Sequence, residues 1–139
     1  MITINFTVPG KPRGKQRPRV TRCGCYTPPE TAAYEAAVRM AYHFSKPPCI
    51  EHKSMTGVEA VITAYFPVPE SWSCSRKERA FGTPYTGKPD ADNIAKIILD
   101  ALNGVAFPDD SMVSCMNVAK RYCFSGEKPR VEVTLGIEH

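Results

Sequence analysis

The sequence predicts an α+β protein, one domain over residues 1–139, with a mixed or mostly antiparallel sheet and two main helices. Three stretches alternate apolar and polar residues with the period of a half-buried strand, and two others repeat apolar residues at helical spacing. These segments follow one another irregularly, with neither an internal repeat nor a low-complexity tract. At 139 residues the chain is long enough to bury a core without disulfides or a metal to hold it together.

The first strand is predicted at Ile2–Val8, where Ile2, Ile4, Phe6 and Val8 face one way and Thr3, Asn5 and Thr7 the other. Pro9-Gly-Lys-Pro12 breaks it, and residues 10–26 read as a basic arm or hairpin with Cys23-Gly24-Cys25 at its tip. Thr27-Pro-Pro-Glu30 has the form of a capping box ahead of a helix reaching about Ser45. Tyr34, Val38, Ala41 and Tyr42 give that helix one apolar stripe. After Lys46-Pro-Pro48, the residues Val58, Ala60, Ile62, Ala64 and Phe66 alternate through a second core strand. The region 70–89 is polar and irregular, with a short helix at about Ser71–Arg79 that docks Trp72 inward. The strongest helix runs from Asp92 to Asn103, striped by Ile94, Ile97, Ile98, Ala101 and Leu102 and stopped by Asn103-Gly104. Strands at about Met112–Tyr122 and Arg130–Ile137 close the chain.

Charged residues make up 23% and hydrophobic ones 42%, which excludes a disordered chain, and no apolar run reaches the ~18 residues of a membrane span. The N-terminus has the alternation of a strand and neither a basic leader nor an apolar h-region. The expected location is therefore the cytoplasm, where the six cysteines stay reduced. Cys23-Gly-Cys25 and Cys49-Ile-Glu-His52 each hold half of a zinc motif, and their spacings miss the usual ligand patterns. Charge is distributed unevenly. Residues 1–29 contain no Asp or Glu but carry Lys11, Arg13, Lys15, Arg17, Arg19 and Arg22, whereas acidic residues gather near 90–110. A cationic segment beside an acidic cluster suits a metal-dependent enzyme acting on a polyanion; a solvated basic hairpin is the plainer alternative.

The chemistry is concentrated in residues 89–113. Asp90 and Asp92 stand at the mouth of the strong helix, with Lys96 on the same polar face as Asp92 and Asp100 at its flank. Taken singly, Asp92 reads as an N-cap, Asp92 and Lys96 as an i,i+4 pair, and Asp109-Asp110 as turn residues. Together, an Asp-x-Asp, a lysine one turn on, and an Asp-Asp brought back by the helix–loop return are expected to converge on a cation. Hard divalent ions such as Mg²⁺ prefer carboxylate oxygens and can activate water against a phosphodiester. The histidines His43, His52 and His139 lie outside this stretch, and no P-loop is present.

On these residues the chain resembles the RusA-type Holliday-junction resolvases, endodeoxyribonucleases often found in prophage regions. The resemblance rests on Pro89-Asp90-x-Asp92-Asn93-x-x-Lys96, Asp100-Ala-Leu, Asp109-Asp110-x-x-Val113, and Gly14-Lys-Gln-Arg-Pro-Arg19 leading into Tyr26-Thr-Pro28. It implies a bacterial or phage-encoded homodimer that binds four-way junctions and makes paired symmetric nicks with Mg²⁺, or Mn²⁺ in its place, in recombination and repair. Asp90, Asp92 and Asp110 would be the metal carboxylates and Lys96 the catalytic lysine. Asn93, Asp100 and Asp109 would be secondary, and Lys11, Arg13, Lys15, Arg17, Arg19 and Arg22 would grip DNA phosphates. Arg22-Cys-Gly-Cys25 departs from the polar or basic arm tip of the family. A catalytically silent DNA binder and a zinc-stapled interaction module are the competing readings. Carboxylates without a cation would repel phosphates, which counts against the first, and a zinc-stapled module would carry stoichiometric zinc.

Overall fold

The fold is described from a computed structural model covering all 139 residues, the side chain of Arg19 excepted. The strands are β1 (Ile2–Pro9), β2 (Arg19–Thr21), β3 (Gly24–Tyr26), β4 (Gly57–Phe66), β5 (Val113–Tyr122) and β6 (Arg130–Glu138). The helices are α1 (Pro29–Phe44), α2 (Cys74–Ala80) and α3 (Ala91–Leu102), with 3-10 turns at His52–Ser54 and Asp110–Met112. The expected α+β class is the class observed; the short helix expected at about Ser71–Arg79 is α2, which begins at Cys74 with Ser73 as its cap, so Trp72 precedes it.

β1, β6, β4 and β5 form one sheet in that order. β6 runs antiparallel to both neighbours, and β4 pairs parallel with β5, so the sheet is mixed. β2 and β3 make a separate two-stranded hairpin, the predicted arm. One sheet face carries Ile4, Phe6 and Val8, the odd residues of β6 from Val131 to Ile137, and Ala60, Ile62, Ala64 and Phe66, all buried. Over it lie Tyr34, Val38 and Tyr42 of α1 and Ile94, Ile97, Ile98, Ala101 and Leu102 of α3. Each fully buried Ile or Leu contributes about 1.5–3 kcal/mol through removal from water. This stripe fixes the rotation of α3 about its axis, leaving Asp92 and Lys96 in solvent.

Two details differ from the predicted elements. α1 begins at Pro29 with extended Pro28 at the N-cap position and no side-chain cap, so Thr27 falls one residue too early to close a capping box. At α3 the N-cap position belongs to Asp90 rather than Asp92, again without a side-chain cap hydrogen bond. The carboxylate of Asp90 is therefore not committed to the helix end.

Candidate active site

The start of α3 is held from three directions. Below it, Tyr85 stacks on Phe66 at 3.8 Å between ring centres and donates its hydroxyl hydrogen to the Lys88 carbonyl at 3.0 Å. The Lys120 amine, rising from β5, donates to the carbonyls of Gly87 and Pro89 at 2.8 and 3.0 Å. From the arm, the Lys15 N–H donates to the Asn93 carbonyl at 2.9 Å. Gly14 allows that approach: a Cβ there would lie 2.6 Å from Pro89 Cβ and 3.1 Å from Asn93 Cβ.

The result is a cleft of about 460 Å³ lined by the arm residues Lys11 to Gln16, by Glu30 and Thr31 of α1, and by Lys88, Pro89, Asp90 and Asn93. Lys11, Arg13 and Asp90 are exposed around it. Lys88 reaches the Asp90 carboxylate at 2.9 Å, a surface pair that a stronger cation can displace. Asp92 and Lys96 are exposed on α3. Asp90 and Asp92 sit at the N-terminal end of α3, where the helix dipole is positive.

Lys15 differs from its expected role. Its amine lies 2.8 Å from Glu35 Oε1 on α1 and 3.2 Å from Asp100 Oδ2 on α3, and its side chain is 17% exposed. Desolvation pulls its pKa down, but hydrogen bonds and charge from the two carboxylates outweigh this and leave it raised. Lys15 thus ties arm, α1 and α3 together rather than facing outward for phosphate. Asp100 is correspondingly turned to Lys15; among the described residues it forms no ion pair with Lys96. Arg17 and Arg22 are exposed, while the side chain of Arg19 lies outside the described residues.

The largest departure concerns the third carboxylate. Asp109 and Asp110 follow the C-terminal end of α3, beyond a tight turn in which Gly104 N–H donates to the Phe107 carbonyl and Val105 and Ala106 N–H to that of Leu102. This turn keeps the chain at that end. Asp90 and Asp92 stand at the opposite, N-terminal end of that helix. Among the described residues no three His, Cys, Asp or Glu side chains are grouped to hold a metal. Asp90, Asp92 and Asp110 therefore form no such group within one chain. Asp109 caps the 3-10 turn through the Ser111 N–H at 3.2 Å, and these hydrogen bonds lower its pKa.

The sequence of the family described as Endodeoxyribonuclease RusA matches residues 9–136 of the chain. The chain belongs to the RusA family. It is also similar to the "Uncharacterized protein YqaN" of Bacillus subtilis (strain 168), 34% identical over 145 residues that cover 97% of this chain and 96% of that protein. RusA proteins are endodeoxyribonucleases that resolve Holliday junctions, so this chain is an enzyme of the phosphodiester-hydrolysing class that acts on branched DNA. RusA nucleases are metal-dependent. The donor set at the start of α3 fits a hard cation, since Asp90 and Asp92 offer carboxylate oxygens and no thiol or imidazole lines the cleft.

Sequence reasoning missed Lys120, Tyr85, Glu35 and Gly14 as supports of the arm and of the start of α3. Lys120 and Glu35 are distant in sequence from the residues they hold, and only the β4–β5 pairing and the α1–α3 packing bring them in. Lys88 was detectable, since it directly precedes Pro89-Asp90.

Proposed function

We propose that this protein is a Mg²⁺-dependent, structure-selective endodeoxyribonuclease that resolves four-way junctions by paired symmetric nicks during recombination and repair, and that it acts as a homodimer. The observation that carries the reading is the cleft in which exposed Lys11 and Arg13 meet Asp90 and Asn93, on a chain whose family is the RusA endodeoxyribonucleases. Lys11, Arg13, Arg17 and Arg22 draw in the DNA backbone by charge and position it without reading sequence. Asp90 and Asp92 hold the cation, with Mn²⁺ able to replace Mg²⁺. Bound there, such an ion would supply polarisation of the phosphodiester, activation of water and stabilisation of the leaving oxygen. Lys96, exposed one turn after Asp92, presents its ammonium to the charge that grows on the phosphate. Asn93 lines the cleft beside Asp90 and contacts the backbone near the reacting phosphate.

The test is nicking of a synthetic four-way junction against linear duplex of the same sequence. Wild-type protein in Mg²⁺ should cut the junction in paired positions. Asp90→Asn and Asp92→Asn should bind it and leave it whole, and Lys96→Ala should bind normally and cut at least tenfold more slowly. Normal cutting by the Asp90 and Asp92 variants would remove the start of α3 from the chemistry.

A further inference from the structure

Between β4 and α3 the chain makes a long excursion, residues 67–90, whose regular structure is the seven-residue helix α2. Connections of that length are uncommon inside a compact domain, and those that stay ordered usually carry function. This one is fastened to the sheet. Arg121 Nη1 donates to the Gly82 carbonyl at 2.9 Å, Tyr122 N–H to that of Thr83 at 2.9 Å, and Tyr85 N–H to that of Lys120 at 3.0 Å. Upstream, Trp72 N–H donates to the Pro69 carbonyl, and its indole packs 5.8 Å from the ring of Tyr122. α2 is therefore held at a fixed place beside the end of β5.

The excursion presents cations to solvent. Arg76 and Arg79 stand three residues apart on α2, which makes them neighbours on its surface, and both are exposed. Neither forms an ion pair among the described residues. Of the nearby acids, Glu70 is taken up by Lys77 at 3.7 Å, and Glu78 lies about 160° around the helix from Arg76. The Arg76 guanidinium sits 3.7 Å from the centre of the Trp72 ring. Stacking of this kind fixes the plane of the guanidinium and leaves its N–H groups free to fork onto an anion such as phosphate. It also covers a face of the indole on which a base would otherwise stack, so the surface suits a DNA backbone rather than unpaired bases.

This patch is close to the cleft. Arg76 to Trp72, Trp72 to Tyr122 and Tyr122 to Tyr85 are spaced 3.7, 5.8 and 5.1 Å, which keeps the guanidinium within about 15 Å of the Tyr85 ring. The Tyr85 hydroxyl in turn binds the carbonyl of Lys88, two residues before Asp90. The span from α2 to Asp90 is thus shorter than one helical turn of duplex DNA, about 34 Å.

We propose that Arg76 and Arg79 form a second backbone clamp, separate from the basic arm, which grips phosphates of a duplex within one turn of the nick. The placement relative to the nick rests on the nuclease reading; the contact with duplex does not. The test is binding of a four-way junction and of linear duplex, titrated against salt with divalent metal chelated. Replacing Arg76 and Arg79 together by Gln should lower the log–log slope by about 1.8, and Arg79→Gln alone, which leaves the stack on Trp72 in place, by about 0.9. Lys46→Gln with Lys53→Gln removes equal charge from exposed positions between α1 and β4 and should keep the wild-type slope. Unchanged slopes in the α2 variants, or an equal fall in the lysine pair, overturn the clamp.

Phosphate-ethylation interference locates the contact. Ethylation within about ten base pairs of the nick should block wild-type binding, and the protein lacking both arginines should be indifferent to part of that set. The same set in both proteins overturns the clamp. A wild type that binds the junction and nicks nothing in Mg²⁺ removes the nuclease reading, while the salt slopes still decide whether α2 touches DNA.

Discussion

Lys15 separates a structural role from a DNA-contacting one. Replacing it with Met keeps the apolar stem and removes the charge, leaving Glu35 and Asp100 with no cation between them. At 2.8 and 3.2 Å, each contact has a gross attraction of about 5–6 kcal/mol at an effective dielectric near 20, most of it offset by desolvation. The three side chains are 17%, 13% and 24% exposed, between the surface and fully buried cases. Exposed pairs contribute roughly 0.2–1 kcal/mol, and breaking a buried one costs roughly 3–5 kcal/mol. Lys15→Met should therefore lower unfolding free energy by about 2–3 kcal/mol. Urea denaturation followed by far-UV circular dichroism and the fluorescence of Trp72, the single tryptophan, would measure it. Titration of duplex DNA against salt supplies the contrast. Loss of one phosphate contact lowers the log–log slope by about 0.9, which is the expectation for Arg17→Gln and not for Lys15→Met. A Lys15→Met protein of unchanged stability and reduced slope would refute the pinning role.

Other expectations follow from neighbouring residues. Gly14→Ala drives a methyl group against the rigid ring of Pro89 and should cost about 1–3 kcal/mol in denaturation; junction cutting should fall more than junction binding, because the arm is displaced from Asp90. Tyr34 has a buried hydroxyl with no hydrogen-bond partner among the described residues, so Tyr34→Phe should leave stability at neutral pH unchanged or raised by up to about 1 kcal/mol. Burial pushes the Tyr34 phenol up to about 12, with Arg13 pulling slightly the other way. Its folded form holds the proton more tightly than the unfolded chain does. Stability is therefore full below about pH 10 and declines between pH 10 and 12, by roughly 2–3 kcal/mol from this group. The raised pKa of Lys15 acts in the same direction at the upper part of that range. Alkaline denaturation of Tyr34→Phe should be correspondingly shallower, and a curve parallel to wild type would contradict this.

The strands β1, β4 and β6 and the helices α1 and α3 were legible because each presents one apolar face at a fixed period, and burial enforces that period. The shared exposed face of Asp92 and Lys96 was legible because neighbours on one helix keep their relation whatever surrounds the helix. Asp110 was not, since its position depends on how the turn at residues 102–107 closes, and Gly104 and Phe107 bond in a way no periodicity encodes. The misreading of Lys15 has a similar origin. In sequence it is one of six cations in an arm without acids, and its two carboxylate partners lie 20 and 85 residues away. The parallel pairing of β4 with β5 likewise rests on the α3 crossover rather than on a signal in either strand.

The central claim is that the reactive cation sits at the start of α3. Fe²⁺ exchanged into the site and treated with ascorbate and peroxide releases hydroxyl radicals that cut the polypeptide beside the ion. Fragments mapped by mass spectrometry should end near residues 88–92, and Asp90→Asn should abolish them. Fragments confined to the region of His43, Cys49 and His52, or unchanged in the variant, would contradict it.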